Sequence, residues 1–267
     1  MPMSVQWKQG VENMIRIEHL TKNYGTNRAL NDLSLEIPKG EFFGFLGPNG
    51  AGKTTTIKII VGLLRPTSGR VLLSGNGEMA IDVAEKPEKA KAITGYIPDS
   101  PYLYEKLTGY EYVHFVGGLY GVPEKKINEH IREFFQLFGL MDTAHYLIES
   151  YSHGMRQKVV MTGALVHDPK VLVVDEPMVG LDPRSSRLVK DLLKRKSREG
   201  TTIFLSTHTL DIPEELCDRI GIIQRGQLIA LGTIEELRRQ AKEDASDLRL
   251  ESVFLKLTEE ENETLAS

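Results

Sequence analysis

The chain has 267 residues, of which 40% are hydrophobic and 26% charged, with a formal net charge of −4. This is ordinary soluble composition, enough for one large or two small domains, and the slight acidity gives no global attraction for nucleic acid. The only cysteine, Cys217, excludes an internal disulfide and points to a reducing compartment.

The opening "MPMSVQWKQGVENM" lacks the long apolar core of a signal peptide, and the folded part is expected to begin near Met14. No apolar run approaches the ~18 residues of a membrane helix, so the chain is not expected to cross a membrane by itself. "MIRIEHL" and "LSLEI" (Leu33 to Ile37) alternate apolar and polar residues and predict half-buried strands. "EFFGFLG" is an apolar run that leads into a glycine-rich loop, and "KTTTIKIIVGLL" follows with helical spacing. Strand, glycine loop and helix open a βαβ unit.

"GRVLLSG" and "AITGYIPDS" read as further strands. From Pro101 to about His167 the pattern becomes helical, and "PEKKINEHIREFFQLFGLM" sets Ile127, Ile131, Phe134, Phe135 and Phe138 on one face. "KVLVVDEP" and "TTIFLSTHT" return to buried strand, and "DRIGIIQRGQLIALG" predicts two strands joined at Arg225–Gly226. "TIEELRRQ" carries a capping box, Thr233 with Glu236, and "TEEENETLAS" reads as an acidic solvated tail. The sum is an α/β core with a helical insertion and a short C-terminal extension. Its unbroken apolar strands fit a sheet covered on both faces.

Residues 47–55, Gly47, Pro48, Asn49, Gly50, Ala51, Gly52, Lys53, Thr54 and Thr55, fit the pattern G-x-x-x-x-G-K-[ST]. Its glycines permit a loop whose amides point at phosphate oxygens. Lys53 supplies charge for the β- and γ-phosphates, Thr54 a hydroxyl ligand for Mg²⁺, and the following helix its positive end. "VLVVDEP" ends a buried strand in Asp175 and Glu176. Beside a phosphate loop, the first of these carboxylates is expected to hold Mg²⁺ and the second to polarise the attacking water.

"YSHGMRQK" sets Ser152 next to His153, which raises a nucleophile beside its base. Consecutive side chains diverge, however, and no G-x-S-x-G turn surrounds the serine. Ser152 instead stands at the start of the helix "MRQKVVMTGALVH", where a hydroxyl, free amides and the dipole make an anion site.

"GPNGAGKTT" and "VLVVDEPMVGLDP", with Asp175 lying 175 − 53 = 122 residues after Lys53, resemble the ATP-binding cassette (ABC) ATPases. The resemblance spans roughly residues 15–234 with the motifs in family order. It implies a P-loop NTPase fold with a mostly parallel core sheet, an antiparallel β subdomain and a helical insertion at about 101–168. Residues 1–13 are then an N-terminal extension, 14–234 the ATPase domain, and 235–267 a C-terminal helical extension and acidic tail.

The resemblance also assigns roles. Tyr24 would stack on adenine, although it is equally an ordinary turn tyrosine. Asp182 would belong to the loop that crosses a dimer interface, besides capping a helix before Pro183. His208 would contact the γ-phosphate. Ser152, His153, Gly154 and Met155 stand where the family has its signature LSGGQ; His153 replaces a glycine and Met155 a glutamine. Asp99 stands where the family has a glutamine, close enough in that fold to approach Mg²⁺. Catalysis then falls to Glu176, His208 and Lys53, with ATP and Mg²⁺ as ligands.

The implied partners are a second ATPase subunit, most simply a copy of this chain, and a separate transmembrane permease, with no nucleic acid. The implied activity is that of an ATPase subunit of an exporter at the cytoplasmic face of the cell membrane. The alternative is a soluble ATPase of the same type acting on ribosomes or DNA, which typically carries two cassettes or a long coiled coil. A GTPase would carry the base-reading motif N-K-x-D, which the sequence lacks.

Overall fold

The structure is a computed structural model that describes residues 12–74, 80–241 and 250–266. Most of the expected N-terminal extension lies outside these residues. Two strands open the chain, β1 (Asn13–Tyr24) and β2 (Asn27–Pro38), and β3 (Phe42–Leu46) runs into the glycine loop and α1 (Lys53–Ile60). Then come β4 (Ser68–Leu73), β5 (Ile81–Asp82), α2 (Pro87–Ala92) and β6 (Thr94–Ile97). The helical insertion is α3 (Gly109–Leu119), α4 (Glu124–Phe138) and α5 (His153–Leu165). The core resumes with β7 (Val171–Asp175), α6 (Pro183–Arg198), β8 (Thr202–Ser206) and α7 (Asp211–Leu216). It closes with β9 (Arg219–Gln224), β10 (Gln227–Gly232), α8 (Ile234–Gln240) and α9 (Leu250–Ala266).

The strands divide as their patterns predict. The alternating ones form an antiparallel sheet in the order β2-β1-β4-β5. The apolar runs β3, β7 and β8, buried at every residue, lie inside a second sheet ordered β10-β9-β3-β8-β7-β6. All neighbours there are parallel except β10, which pairs antiparallel with β9 at the edge. Side chains of a strand alternate between faces. Val171 and Val173 of β7 accordingly join Phe43, Phe45 and Phe204 in the core under the antiparallel sheet. Leu172 and Val174 join the core under the helical insertion. Ile127, Ile131, Phe134, Phe135 and Phe138 of α4 are all buried in that second core, as their spacing predicts.

Several elements differ from expectation. The insertion becomes helical only at Gly109, where Thr108 and Glu111 form a capping box, and not at Pro101. β5, α2 and α7 are short and carry too few residues to show a period. The end of the chain is helical, with α9 continuing to Ala266. Leu250 and Val253 anchor this helix on Ile222, Ala230 and Leu237, and the rest of the segment holds neither glycine nor proline to stop it.

Candidate active site

Parallel strands bring their C-terminal ends to one edge of a sheet, where α/β proteins bind ligands. Here β8 lies between β3 and β7, and the register aligns Phe45, Ser206 and Asp175 in one row. The residues that leave that row are the phosphate loop after β3, Thr207 and His208 after β8, and Glu176 after β7. Three segments far apart in sequence thus converge through ladder hydrogen bonds.

The phosphate loop is shaped by close approach. A methyl group on Gly47 would stand 2.8 Å from Ile223 Cγ2, and one on Gly52 2.7 Å from the Ala29 carbonyl oxygen. Gly52 also has φ of 111°, a conformation only glycine adopts without strain. It is the N-cap of α1 and offers no side-chain cap. By contrast α3, α5, α6 and α8 are capped by Thr108, Ser152, Asp182 and Thr233. The first amides of α1 are therefore left to an external anion. Lys53 Nζ donates to the carbonyls of Gly47 at 2.5 Å and Pro48 at 3.1 Å, which folds the loop around its own ammonium. Burial lowers the Lys53 pKa, while Glu176 and Asp175 raise it. Ala51 is buried, and its amide donates to Pro48.

Glu176 is clasped on its far side. Its Oε1 accepts from the His208 amide and from His208 Nδ1, each at 2.7 Å, and its Oε2 accepts from Thr207 Oγ1 at 2.8 Å. Its backbone has φ of 48°, a strained left-handed conformation for a glutamate, of a kind that concentrates at functional sites. Asp175 lies beside it in a different environment. Burial raises its pKa, the Ser206 hydroxyl lowers it, Glu176 and Asp99 raise it further, and Lys53 lowers it. Burial first, then the charges of Asp175 and Asp99, push the Tyr96 hydroxyl up to about 12.

A cavity of about 640 Å³ collects these groups. Tyr24, Asn49, Gly50, Gly52, Lys53, Thr54, Thr55, Asp99, Asp175, Glu176 and His208 all line it. Tyr24 is exposed at the mouth, where the β1–β2 hairpin turns, with Lys22 Nζ 5.3 Å from its ring. Asn27, Ala29 and Val179 also line the cavity and were not foreseen. Nor was Thr207, whose place is set by strand register. A hydroxyl and carboxylates around one space suit a hard divalent cation. Among the described residues, no group of three or more His, Cys, Asp or Glu side chains can hold a metal by itself. Such a cation therefore needs oxygens from a ligand, as Mg²⁺ takes from phosphates.

Gly47 and Pro48 line a second cavity of about 320 Å³ instead, together with Asn49, Thr207, His208 and Phe254 of α9. The C-terminal helix thus lies behind the phosphate loop, and Gln224 Nε2 fastens it by donating to the Thr258 carbonyl at 3.2 Å.

The signature residues are not in either cavity. Ser152 is exposed at the N-cap of α5, and its Oγ accepts from the Met155 amide at 3.3 Å. His153 is exposed and Met155 partly buried. A methyl group on Gly154 would meet only Leu181 Cδ2 at 3.5 Å and the Gly180 carbonyl at 3.6 Å, so this chain itself leaves room there. Asp182 caps α6, accepting from the Ser185 amide at 3.0 Å and hydroxyl at 2.5 Å. Those bonds, aided by Lys158, hold its carboxyl below the usual range.

Known proteins share this arrangement. The ABC transporter family matches residues 30–179, from β2 to the segment after Glu176. An ABC transporter ATP-binding protein of Bacillus subtilis, YhcH, is 40% identical over 228 residues, 85% of this chain and 72% of that protein. The linearmycin resistance ATP-binding protein LnrL of the same organism is 37% identical over 224 residues, 84% and 70% of the two chains. A solved ATP-binding subunit of an ABC transporter superposes with a TM-score of 0.85 at 31% identity, covering 92% of this chain and 99% of that one. The chain belongs to the ABC transporter family and is an ATP hydrolase of that family.

Proposed function

We propose that this chain drives an exporter. Two copies close on ATP at the cytoplasmic face of the cell membrane, and their closing and reopening move a separate transmembrane permease. One observation carries the reading: the cavity at the glycine loop holds its own carboxylates but none of the signature residues, which stand at another helix start with Ser152 and His153 exposed. A second copy turned to face the first would supply them.

In that reading adenine stacks on Tyr24, and the triphosphate lies along the amides of Gly50, Gly52, Lys53 and Thr54. Thr54, Asp175 and Asp99 would hold Mg²⁺, which would supply positive charge against the phosphoryl oxygens. Glu176 leaves the clasp of Thr207 and His208 far enough to orient water. The water oxygen bonds the γ-phosphorus, its proton passes to Glu176, and the bond to the bridging oxygen breaks. Lys53, His208 and Ser152 of the second copy stabilise the charge that spreads over the γ-phosphate.

The permease would meet the helical insertion. No helix among the described residues is long and apolar enough to cross a membrane. Tyr104 and Phe115, with ring centroids 5.5 Å apart, are exposed, as are Tyr102 and Leu119, and exposed apolar side chains of this kind support an interaction surface. The similarity to a relative named for linearmycin resistance supports export. Co-purification from native membranes tests the proposal. A membrane permease recovered with the chain is the expected result; ribosomal proteins or DNA in its place would establish the soluble alternative.

A further inference from the structure

His153 stands where the family has a glycine, and its ring has a specific seat. A methyl group on Gly180 would collide with His153 Cδ2 and stand 2.8 Å from Nε2. The Cδ2–Nε2 side of the imidazole therefore occupies the space beside Gly180, whose backbone has φ of 75°. Two neighbouring contacts follow the same line: Gly154 faces Leu181, and Lys158, one turn further along α5, acts on Asp182. His153 and Gly154 of the signature helix thus face Gly180 and Leu181.

The segment they touch begins at Glu176. It is fixed at one end by the bonds from Thr207 and His208, and at the other by Asp182 capping α6. Between those ends its turn bonds are long, Val179 to Glu176 at 3.3 Å and Leu181 to Met178 at 3.2 Å. Met178 and Leu181 also pack on the core under the helical insertion, so Val179 and Gly180 are the exposed part of the span, and His153 lies against the second of them.

We infer that His153 is a positioning residue: its ring, seated on Gly180, links the seating of the Ser152 helix start to the placement of Glu176 in the same chain. This rests on the proposed reading in which Ser152 serves the nucleotide of the opposite copy. The two sites of the dimer are then linked inside each chain, because the helix that senses one nucleotide touches the segment that carries the general base for the other. The contact is one of shape, made by the ring against a backbone that only glycine leaves open, and it needs no proton.

Steady-state ATP turnover by the purified full-length chain tests this, with nucleotide binding and melting temperature measured alongside. His153→Ala removes the ring at an exposed position and favours the helix, so the chain folds. It should lower kcat about 5-fold with KM within about 2-fold, the signature of an interaction lost from the reacting state. His153→Phe keeps the ring shape and should restore kcat to within about 2-fold of the parent. Gly180→Ala should lower kcat about 10-fold, and adding His153→Ala should make it no worse, because residues in contact are not additive. Parent kcat in His153→Ala, equal losses in His153→Phe and His153→Ala, or losses that multiply in the double variant would each overturn the inference. Ser152→Ala separates it from the reading beneath. Parent turnover in that variant removes the two-copy site altogether, whereas a loss there with none in His153→Ala removes only the link.

Discussion

Two helix starts in this molecule face opposite demands. At α1 the cap is Gly52, no side chain satisfies the first amides, and the loop is pressed against Ile223 and Ala29 so closely that a methyl group would not fit. At α5 the cap is Ser152, its hydroxyl takes a long bond from Met155, and the surroundings are open. The first has a lysine, a hydroxyl and carboxylates in the same cavity. The second has a dipole and a hydroxyl outside that cavity. In the proposed reading, the difference separates what a chain must hold rigid from what it offers to a second copy.

Glu176→Gln attacks the finished half and should have the largest effect. Turnover should fall about 10²- to 10³-fold while ATP binding stays within a few-fold, measured by steady-state hydrolysis and nucleotide binding. Unchanged hydrolysis would remove Glu176 from water activation. Next comes Gly52→Ala against Gly154→Ala. The first forces a methyl group 2.7 Å from the Ala29 oxygen at φ of 111°, and should cost roughly 1–3 kcal/mol in unfolding experiments and abolish ATP binding. The second meets nothing closer than 3.5 Å, so the monomer should melt and bind ATP as the parent does while turnover drops. Equal destabilisation of the two would erase the contrast between the halves.

Asp175→Asn tests the electrostatics of the cavity. Burial, then Glu176 and Asp99, raise the Asp175 pKa despite Ser206 and Lys53. The folded state therefore disfavours the charged carboxylate, a penalty present at neutral pH and relieved as pH falls through the raised pKa. The asparagine variant should melt higher than the parent in the absence of nucleotide and hydrolyse ATP poorly; a lower melting temperature would contradict the assignment. The smallest effect belongs to Tyr24→Ala. A stacking contact is worth about 0.5–1.5 kcal/mol, so ATP should bind up to roughly 10-fold more weakly while inorganic triphosphate is unaffected. Equal losses for both ligands would argue against stacking on adenine.

What the sequence discloses follows from the range of the interactions involved. Caps are local, and Ser152, Asp182 and the Thr233–Glu236 box stand where their spacing puts them. Strands β3, β7 and β8 are legible because burial on both faces leaves an unbroken apolar run. Thr207 is not legible, because its bond to Glu176 depends on the β7–β8 register and the two residues are 31 apart in sequence. Phe254 escapes for the same reason: only the packing of α9 on β9 and β10 carries it behind the phosphate loop. His153 reads from the sequence only as a departure from the family's glycine, because its nearness to Gly180, 180 − 153 = 27 residues on, depends on the packing of α5 against the segment after β7.

The central claim is that each working site takes its phosphate loop from one chain and its Ser152 helix start from another. Mixing two inactive variants tests it most directly. Lys53→Ala lacks a working phosphate loop but keeps Ser152, and Ser152→Ala keeps the loop but lacks the serine. Each alone should hydrolyse ATP at about 1% of the parent rate or less for the lysine variant and about 10% for the serine variant. In a mixed dimer one site pairs both defects and the other pairs an intact loop with an intact serine. Turnover should therefore rise well above the sum of the two variants when they are combined. Activity that stays at that sum, in a mixture shown to form mixed dimers, would contradict a site shared between chains.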